Sequence, residues 1–190
     1  MSSLRHTTLP TPLGDLTIVC SSTGIVATIF DDEDRDPEIA RIERWFADRA
    51  LGSEAGDARA MARTARREAR GYLEGRTRAF TAPPDLSMVG EGFGRRVLEV
   101  VGTIPYGELW TYGDVAGMAG SPRAARAAGS ALAGCPIELF VPCHRVVHAG
   151  GTIGGYGRHE DRKRWLLRHE GALAPAFEPA RGRRRSRARG

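Results

Sequence analysis

The chain has 190 residues, which suits one compact domain or two small ones, because single cores stop growing efficiently beyond about 250 residues. With 41% hydrophobic and 27% charged residues, and no apolar run near the ~20 residues that span a bilayer, it reads as a soluble globular protein and not a membrane protein. The opening Met1-Ser2-Ser3-Leu4-Arg5-His6 has no secretory apolar core, so a cytoplasmic location is expected.

Thr7 to Phe30 alternates apolar and polar residues in two runs, Leu16–Cys20 and Ile25–Phe30, joined by Ser21-Ser22-Thr23-Gly24. This pattern predicts a β-hairpin. Asp36-Pro37 reads as a cap followed by a proline in the first helical position, with Ile39, Ile42, Trp45 and Phe46 at helical spacing behind it. Met61, Ala65, Ala69, Tyr72 and Leu73 mark the apolar face of a second helix that ends near Gly75.

Thr81-Ala82-Pro83-Pro84-Asp85 breaks the pattern and divides the chain into an N-terminal unit, 1–85, and a second unit, 86–175. Phe93, Val97, Leu98 and Val101 predict a helix closed by the turn Ile104-Pro105-Tyr106-Gly107. Tyr112 to Ala119 predicts another, tightened by Gly120. A third is expected to be capped by Ser121, to start at Pro122 and to run to Ala133. The last two form a helix-turn-helix. The final helix of the pair has two long polar side chains, Arg123 and Arg126, three apart and hence on one face. Its other side chains are small, which suits either tight packing in a core or close approach to DNA. The fold class expected is α+β: a small N-terminal hairpin-plus-helix domain, then a mostly helical C-terminal domain.

Residues 176–190 hold six arginines and one acid, and so carry the whole net charge of +5. With few apolar residues to pack, this segment is expected to be a disordered Arg-rich tail, either solubilising or in loose contact with polyanions. The three cysteines, Cys20, Cys135 and Cys143, are too scattered for a disulfide framework, and their spacing suggests no metal site.

Ile137 to Val147 reads as a short strand that delivers Pro142-Cys143-His144-Arg145 to a turn. An isolated Cys-His pair is most simply an inert core thiol beside a histidine. Here the pair is followed by Gly154-Gly155-Tyr156-Gly157 and by a predicted helix over 161–170 that ends at Gly171. Glu170 in the last turn of that helix faces the negative end of the dipole, which costs about 0.3–1 kcal/mol. Either solvent or a positive partner must compensate, and His144 is the candidate partner.

Taken together, Ile104-Pro-Tyr-Gly-Glu108, Thr111-Tyr112-Gly113, Pro122-Arg-Ala-Ala-Arg-Ala-Ala-Gly129, Pro142-Cys-His-Arg-Val146, Gly154-Gly-Tyr156 and Trp165-Leu-Leu-Arg-His-Glu-Gly171 resemble the O6-alkylguanine-DNA alkyltransferases in order and spacing. Thr11-Pro-Leu-Gly14 and the hairpin after it resemble the variable N-terminal domain of that family. The resemblance implies a single-turnover reaction in which Cys143 takes the alkyl group from guanine O6, or less efficiently from O4-methylthymine, by a monomer without cofactor. It also implies that His144 is the base, acting through a water, with Glu170 orienting it, Tyr112 the donor to the leaving base, and Arg126 the residue that fills the gap left by an extruded nucleotide. The helix carrying Arg123, Ala125 and Gly129, with Ser121 and Gly113 nearby, would lie in the minor groove of double-stranded DNA. Tyr156, Gly157 and Arg158 would line the alkyl pocket.

The sequence departs from the family in places. Cys135 stands where the family usually has an asparagine, and a thiol cannot make the same hydrogen bonds. Gly157-Arg158-His159-Glu160 replaces a run of glycines. His6 and Cys20 do not reproduce the zinc site of some relatives, so no metal is expected. The alternative reading is an alkyltransferase-like protein that binds lesions without accepting the alkyl group.

Overall fold

The computed structural model describes residues 4–31, 34–49, 57–150, 152–156 and 159–173. Its first half is an antiparallel sheet of β1 (Arg5–Leu9), β2 (Leu16–Cys20) and β3 (Ile25–Phe30), in that spatial order. The expected hairpin is present. β1 is an addition to it: Thr8 and Thr17 face each other across the β1–β2 ladder, their hydroxyls 2.8 Å apart.

Every residue of β2 and β3 is buried, because helices cover both faces of the sheet. Leu16, Ile18, Cys20, Ile25 and Phe30 pack with Ala65, Ala69 and Tyr72 of α2 (Ala58–Leu73), while Val19, Val26 and Ile29 pack with Ile42 and Phe46 of α1 (Arg35–Asp48). α1 starts one residue before the expected cap, and Asp34, not Asp36, holds the N-cap position, without a side-chain capping bond. α2 is capped by Asp57, whose carboxylate accepts from the Arg59 amide.

The proline-containing segment is bound on both sides. Glu68 of α2 accepts from the Thr81 and Ala82 amides at 2.9 and 3.0 Å, and Asp85 accepts from Ser21 and Thr23 of the β2–β3 turn at 2.6 and 2.7 Å. The Ile25 amide and carbonyl bond Pro83 and Asp85, so this segment covers part of the outer edge of β3. The rest of that edge takes the chain leading to Cys143: the Thr28 amide donates to the Pro136 carbonyl at 2.8 Å and the Thr28 hydroxyl to that of Glu138 at 3.1 Å. Pairing an exposed edge in this way satisfies backbone groups that would otherwise invite association.

The second half contains α3 (Phe93–Val101), β4 (Trp110–Thr111), α4 (Tyr112–Met118), α5 (Ala125–Ala133), β5 (Val146–Val147) and α6 (Glu160–His169). Thr111 caps α4 through a reciprocal box with Asp114. α4 and α5 form the expected helix-turn-helix, with one correction. α5 begins at Ala125, not Pro122, and Ser121 does not cap it; residues 121–124 make a turn closed by the Ala124 amide on the Ser121 carbonyl. Arg123 therefore precedes the helix that carries Arg126.

The expected strand over 137–142 is absent. The segment folds back on itself, with the Val141 amide donating to the Ile137 carbonyl at 2.9 Å. Leu139 is left-handed at φ +76°, a conformation that costs a non-glycine residue about 1–3 kcal/mol. Its side chain is buried in the core, and that burial, about 1.5–3 kcal/mol for a leucine, holds the turn in place. Among the described residues no helix is long and apolar enough to cross a membrane.

Candidate active site

Cys143 opens the expected turn, one turn of 3-10 helix over Cys143–Arg145. The turn leads directly into β5, which pairs in parallel with β4. Because β4 runs without a break into α4, this two-residue ladder brings Tyr112, the first residue of α4, beside the cysteine turn. A cavity of about 880 Å³ results. Tyr112, Arg123, Ala125, Arg126 and Gly129 line it together with Cys143, His148 and Tyr156. Gly113, exposed at the start of α4, and Ser121, in the turn before α5, do not line it. Gly157, Arg158 and the tail 176–190 lie outside the described residues.

Gly129 rests against the Tyr112 ring, where an added Cβ would sit at 3.6 Å. At the Tyr112 hydroxyl Gly154 has φ +71°, and a Cβ there would lie 2.9 Å from that hydroxyl and 3.1 Å from the His148 ring. Only glycine meets both conditions. His148 packs its ring on Tyr112 with centroids 5.0 Å apart, an arrangement the sequence did not indicate.

His144 and Arg145 turn into the interior, where both meet Glu170 at the C-terminal end of α6. Glu170 Oε1 accepts from His144 Nε2 at 2.9 Å, from Arg145 Nη2 at 2.8 Å and from the Tyr72 hydroxyl at 2.5 Å; Oε2 accepts from the Gly107 amide at 3.0 Å. Arg145 in turn donates to the Ile104 carbonyl at 2.5 Å. The Ile104-Pro-Tyr-Gly107 motif is thus a cradle that supplies one carbonyl to the arginine and one amide to the carboxylate. The expected compensation for Glu170 at a helix C-terminus is present, and larger than His144 alone. Although burial opposes ionisation, the hydrogen bonds from His144 and Arg145 win and hold the carboxyl well below the usual carboxylate range.

An ionised carboxylate can only accept, so His144 Nε2 carries a proton and Nδ1 is the basic nitrogen. Nδ1 is buried with no protein partner among the described residues. Burial also lowers the His144 pKa, so the imidazole is neutral at rest. The Cys143 thiol is protonated at rest as well: a hydrogen bond with the Cys135 thiol and burial raise it well above the ordinary cysteine value, with Lys163 opposing them. Cys135 is therefore the neighbour that acts most strongly on the Cys143 thiol. Cys20, by contrast, lies buried in the sheet with its thiol pushed up to about 12.

Lys163, fully buried in α6, donates to the Val146 carbonyl at 2.6 Å and the Gly155 carbonyl at 3.3 Å. It ties the strand after the cysteine to the loop carrying Tyr156. The composition held a signal for it, since it is the only lysine beside 27 arginines. Tyr72 carried no such signal, because an apolar helical face accounts for a tyrosine without reference to its hydroxyl.

Residues 92–172 match the family described as 6-O-methylguanine DNA methyltransferase, DNA binding domain. The methylated-DNA–protein-cysteine methyltransferase of Mycobacterium bovis is 36% identical over 173 residues, covering 91% of this chain and 96% of its own. The chain belongs to this methyltransferase family. The fold agrees with that of solved members. The crystal structure of the Mycobacterium tuberculosis O6-methylguanine methyltransferase superposes with a TM-score of 0.71 at 32% identity, over 91% of this chain and 96% of that one. The complex of the M. tuberculosis protein with DNA gives 0.69, over 90% and 95%. Membership covers the N-terminal sheet as well as the helix-turn-helix, so the edge of β3 that holds Pro136 and Glu138 belongs to the aligned fold.

Proposed function

We propose that this protein repairs O6-alkylguanine in double-stranded DNA by irreversible transfer of the alkyl group to Cys143, once per molecule, with O4-methylthymine a poorer substrate. The observation that carries the reading is the position of Cys143, at a cavity beside an exposed arginine helix on one side and a buried histidine–glutamate pair on the other. The family supports transfer over the alternative of lesion binding alone, and so does the acceptor cysteine in place beside His144.

In the reaction the Cys143 sulfur bonds the alkyl carbon as the C–O6 bond breaks, and its electron pair passes to the guanine. The thiol proton goes to His144 Nδ1, directly or through a water, and the imidazolium gives a proton back through solvent to the guanine anion, which leaves as the neutral base. Glu170 stabilises the imidazolium that forms. Tyr112 donates a hydrogen bond to the departing base, offsetting the charge that develops there.

A base stacked in a duplex cannot reach a thiol in this cavity, so in this reading the nucleotide is extruded and Arg126, exposed on α5, fills its gap. α5 turns Arg126, Ala127 and Ser130 outward, a narrow surface that suits the minor groove. Arg123 contributes a phosphate contact from the turn before it. The protein acts as a monomer in the cytoplasm, where its free thiols stay reduced.

Intact-protein mass after incubation with a duplex containing O6-methylguanine tests this. The expected result is a gain of one methylene, mapped to Cys143 and absent from Cys143→Ser. Tight lesion-selective binding without mass gain would overturn transfer and establish the lesion-binding alternative.

A further inference from the structure

We propose that the Tyr72 hydroxyl is a positioning group for the transfer, holding Glu170 Oε1 so that His144 stays neutral and presents Nδ1 to the thiol. The inference rests on the reading of Cys143 as acceptor and His144 as its base. It adds a residue from the N-terminal half to that machinery.

Tyr72 sits in the last turn of α2 and is fully buried. Its ring is walled by Phe80, Tyr106 and His169, with centroids 5.2, 5.9 and 5.3 Å away. Its carbonyl accepts from His169 Nε2 at 2.6 Å. Ring and backbone are therefore both held, and the hydroxyl points at one atom, Glu170 Oε1. Packing alone does not call for an oxygen here, since phenylalanine would fill the same space.

The phenol and the imidazole share one acceptor. Tyr72 Oη lies 2.5 Å from Oε1 and 3.4 Å from His144 Nε2, which itself lies 2.9 Å from Oε1. Because the carboxylate only accepts, both groups direct protons to it. Every donor on Oε1 draws on the same negative charge, which reduces what remains to stabilise a positive imidazole. Without the phenol, the pair would move towards imidazolium and carboxylate, and an imidazolium cannot take the thiol proton. Tyr72 thus keeps the base available while Glu170 keeps it oriented.

The other groups facing this pair act with or against it in identifiable ways. Arg145 from the same turn and Lys163 from α6 disfavour a proton on His144, whereas Glu170 from α6 favours it. The Cys143 thiol is the proton donor in the reaction. From the Ile104–Gly107 turn Tyr106 is coupled to Glu170, and Gly107 offers only its amide.

The test is the single-turnover transfer rate from O6-methylguanine duplex between pH 5 and 9, for the full-length wild type and Tyr72→Phe, with a 15N-histidine NMR titration of His144 in both. The acid limb of the Tyr72→Phe profile and the His144 midpoint should both move up by about half a pH unit or more, the size expected when one hydrogen bond to a charged partner is lost. The rate deficit should approach about threefold on the acid side of the His144 midpoint and fade on its alkaline side. A pH-independent loss, or superimposable profiles and midpoints, would overturn the proposal in favour of simple packing. Site-specific 3-fluorotyrosine at position 72, a stronger donor that keeps the ring, should move both quantities down, and no movement would overturn the proposal even if Tyr72→Phe fails to fold. The NMR midpoints do not require turnover. A wild type without transfer but with a shifted midpoint would therefore overturn the acceptor reading, and with it the catalytic part of this proposal, separately from the contact itself.

Discussion

Lys163 shows how much one side chain can bear at this site. An ammonium without water is costly unless it is hydrogen-bonded, and burial lowers its pKa to about 8, so at neutral pH it is still mostly charged. Its charge favours a thiolate at Cys143, while its bonds to Val146 and Gly155 hold the walls of the cavity. An arginine there would have to fit a larger, permanently charged fork against two carbonyls. Lys163→Met should slow alkylation of Cys143 by iodoacetamide at pH 7.5 by about three- to tenfold, corresponding to loss of up to one pH unit of thiolate stabilisation. Equal rates in the two proteins would show that the lysine only binds carbonyls.

At the scale of elements, the working parts are short and held by pairings between segments distant in sequence. β4 and β5 have two residues each, too few to stand alone, yet their parallel pairing sets Tyr112 against the cysteine turn. The loop after β5 meets Tyr112 through Gly154, where a left-handed backbone and the Tyr112 hydroxyl leave no room for a Cβ. Gly154→Ala is expected to displace the Tyr112 phenol and lower the transfer rate at least tenfold, with only a small change in melting temperature. A variant that transfers normally would remove Tyr112 placement from the role of that loop. The periodicity of α2 and α3 was legible because each buries one apolar stripe in a single core. The start of α5 was not, because Ser121-Pro122 is a good helix opening that here closes a turn instead. The strand expected over 137–142 failed for a related reason: its apolar residues satisfy the core equally well when folded back through a left-handed Leu139.

Across the whole molecule the two halves are joined at the chemistry. The larger buried cluster runs from Leu9 and Ile18 of the sheet through Tyr72 to Cys143 and Leu166, so the N-terminal half supports the relay as well as flanking it. This has a consequence for stability against pH. The folded state depresses both His144 and Glu170, so the unfolded chain binds more protons and stability must fall on acidification. The His144 contribution begins to be lost below about pH 6.5, and that of Glu170 below about 4.3, the ordinary values the unfolded chain restores. Urea midpoints between pH 8 and 3 should decline through both ranges, and Glu170→Gln should flatten the lower one while losing about 3–5 kcal/mol near neutrality, because Arg145 is left buried without its counter-charge. A midpoint independent of pH below 5 would contradict the assignment of Glu170 as a buried carboxylate.

The sequence by itself determined the family, the fold class, the helical elements with strong apolar periodicity, and part of the cavity lining, Tyr112, Arg126, Cys143 and Tyr156 among it, because motifs such as Pro142-Cys-His-Arg145 are local and their chemistry is limited to few uses. It also exposed the unusual Cys135, though not that it would push the Cys143 thiol up. Only the tertiary structure decided which donors converge on Glu170. Tyr72, Gly107 and Arg145 come from three separate segments, and nothing periodic in a chain says which buried hydroxyl or amide will find a given carboxylate. That choice is made by packing, which leaves each buried polar group the partner within reach.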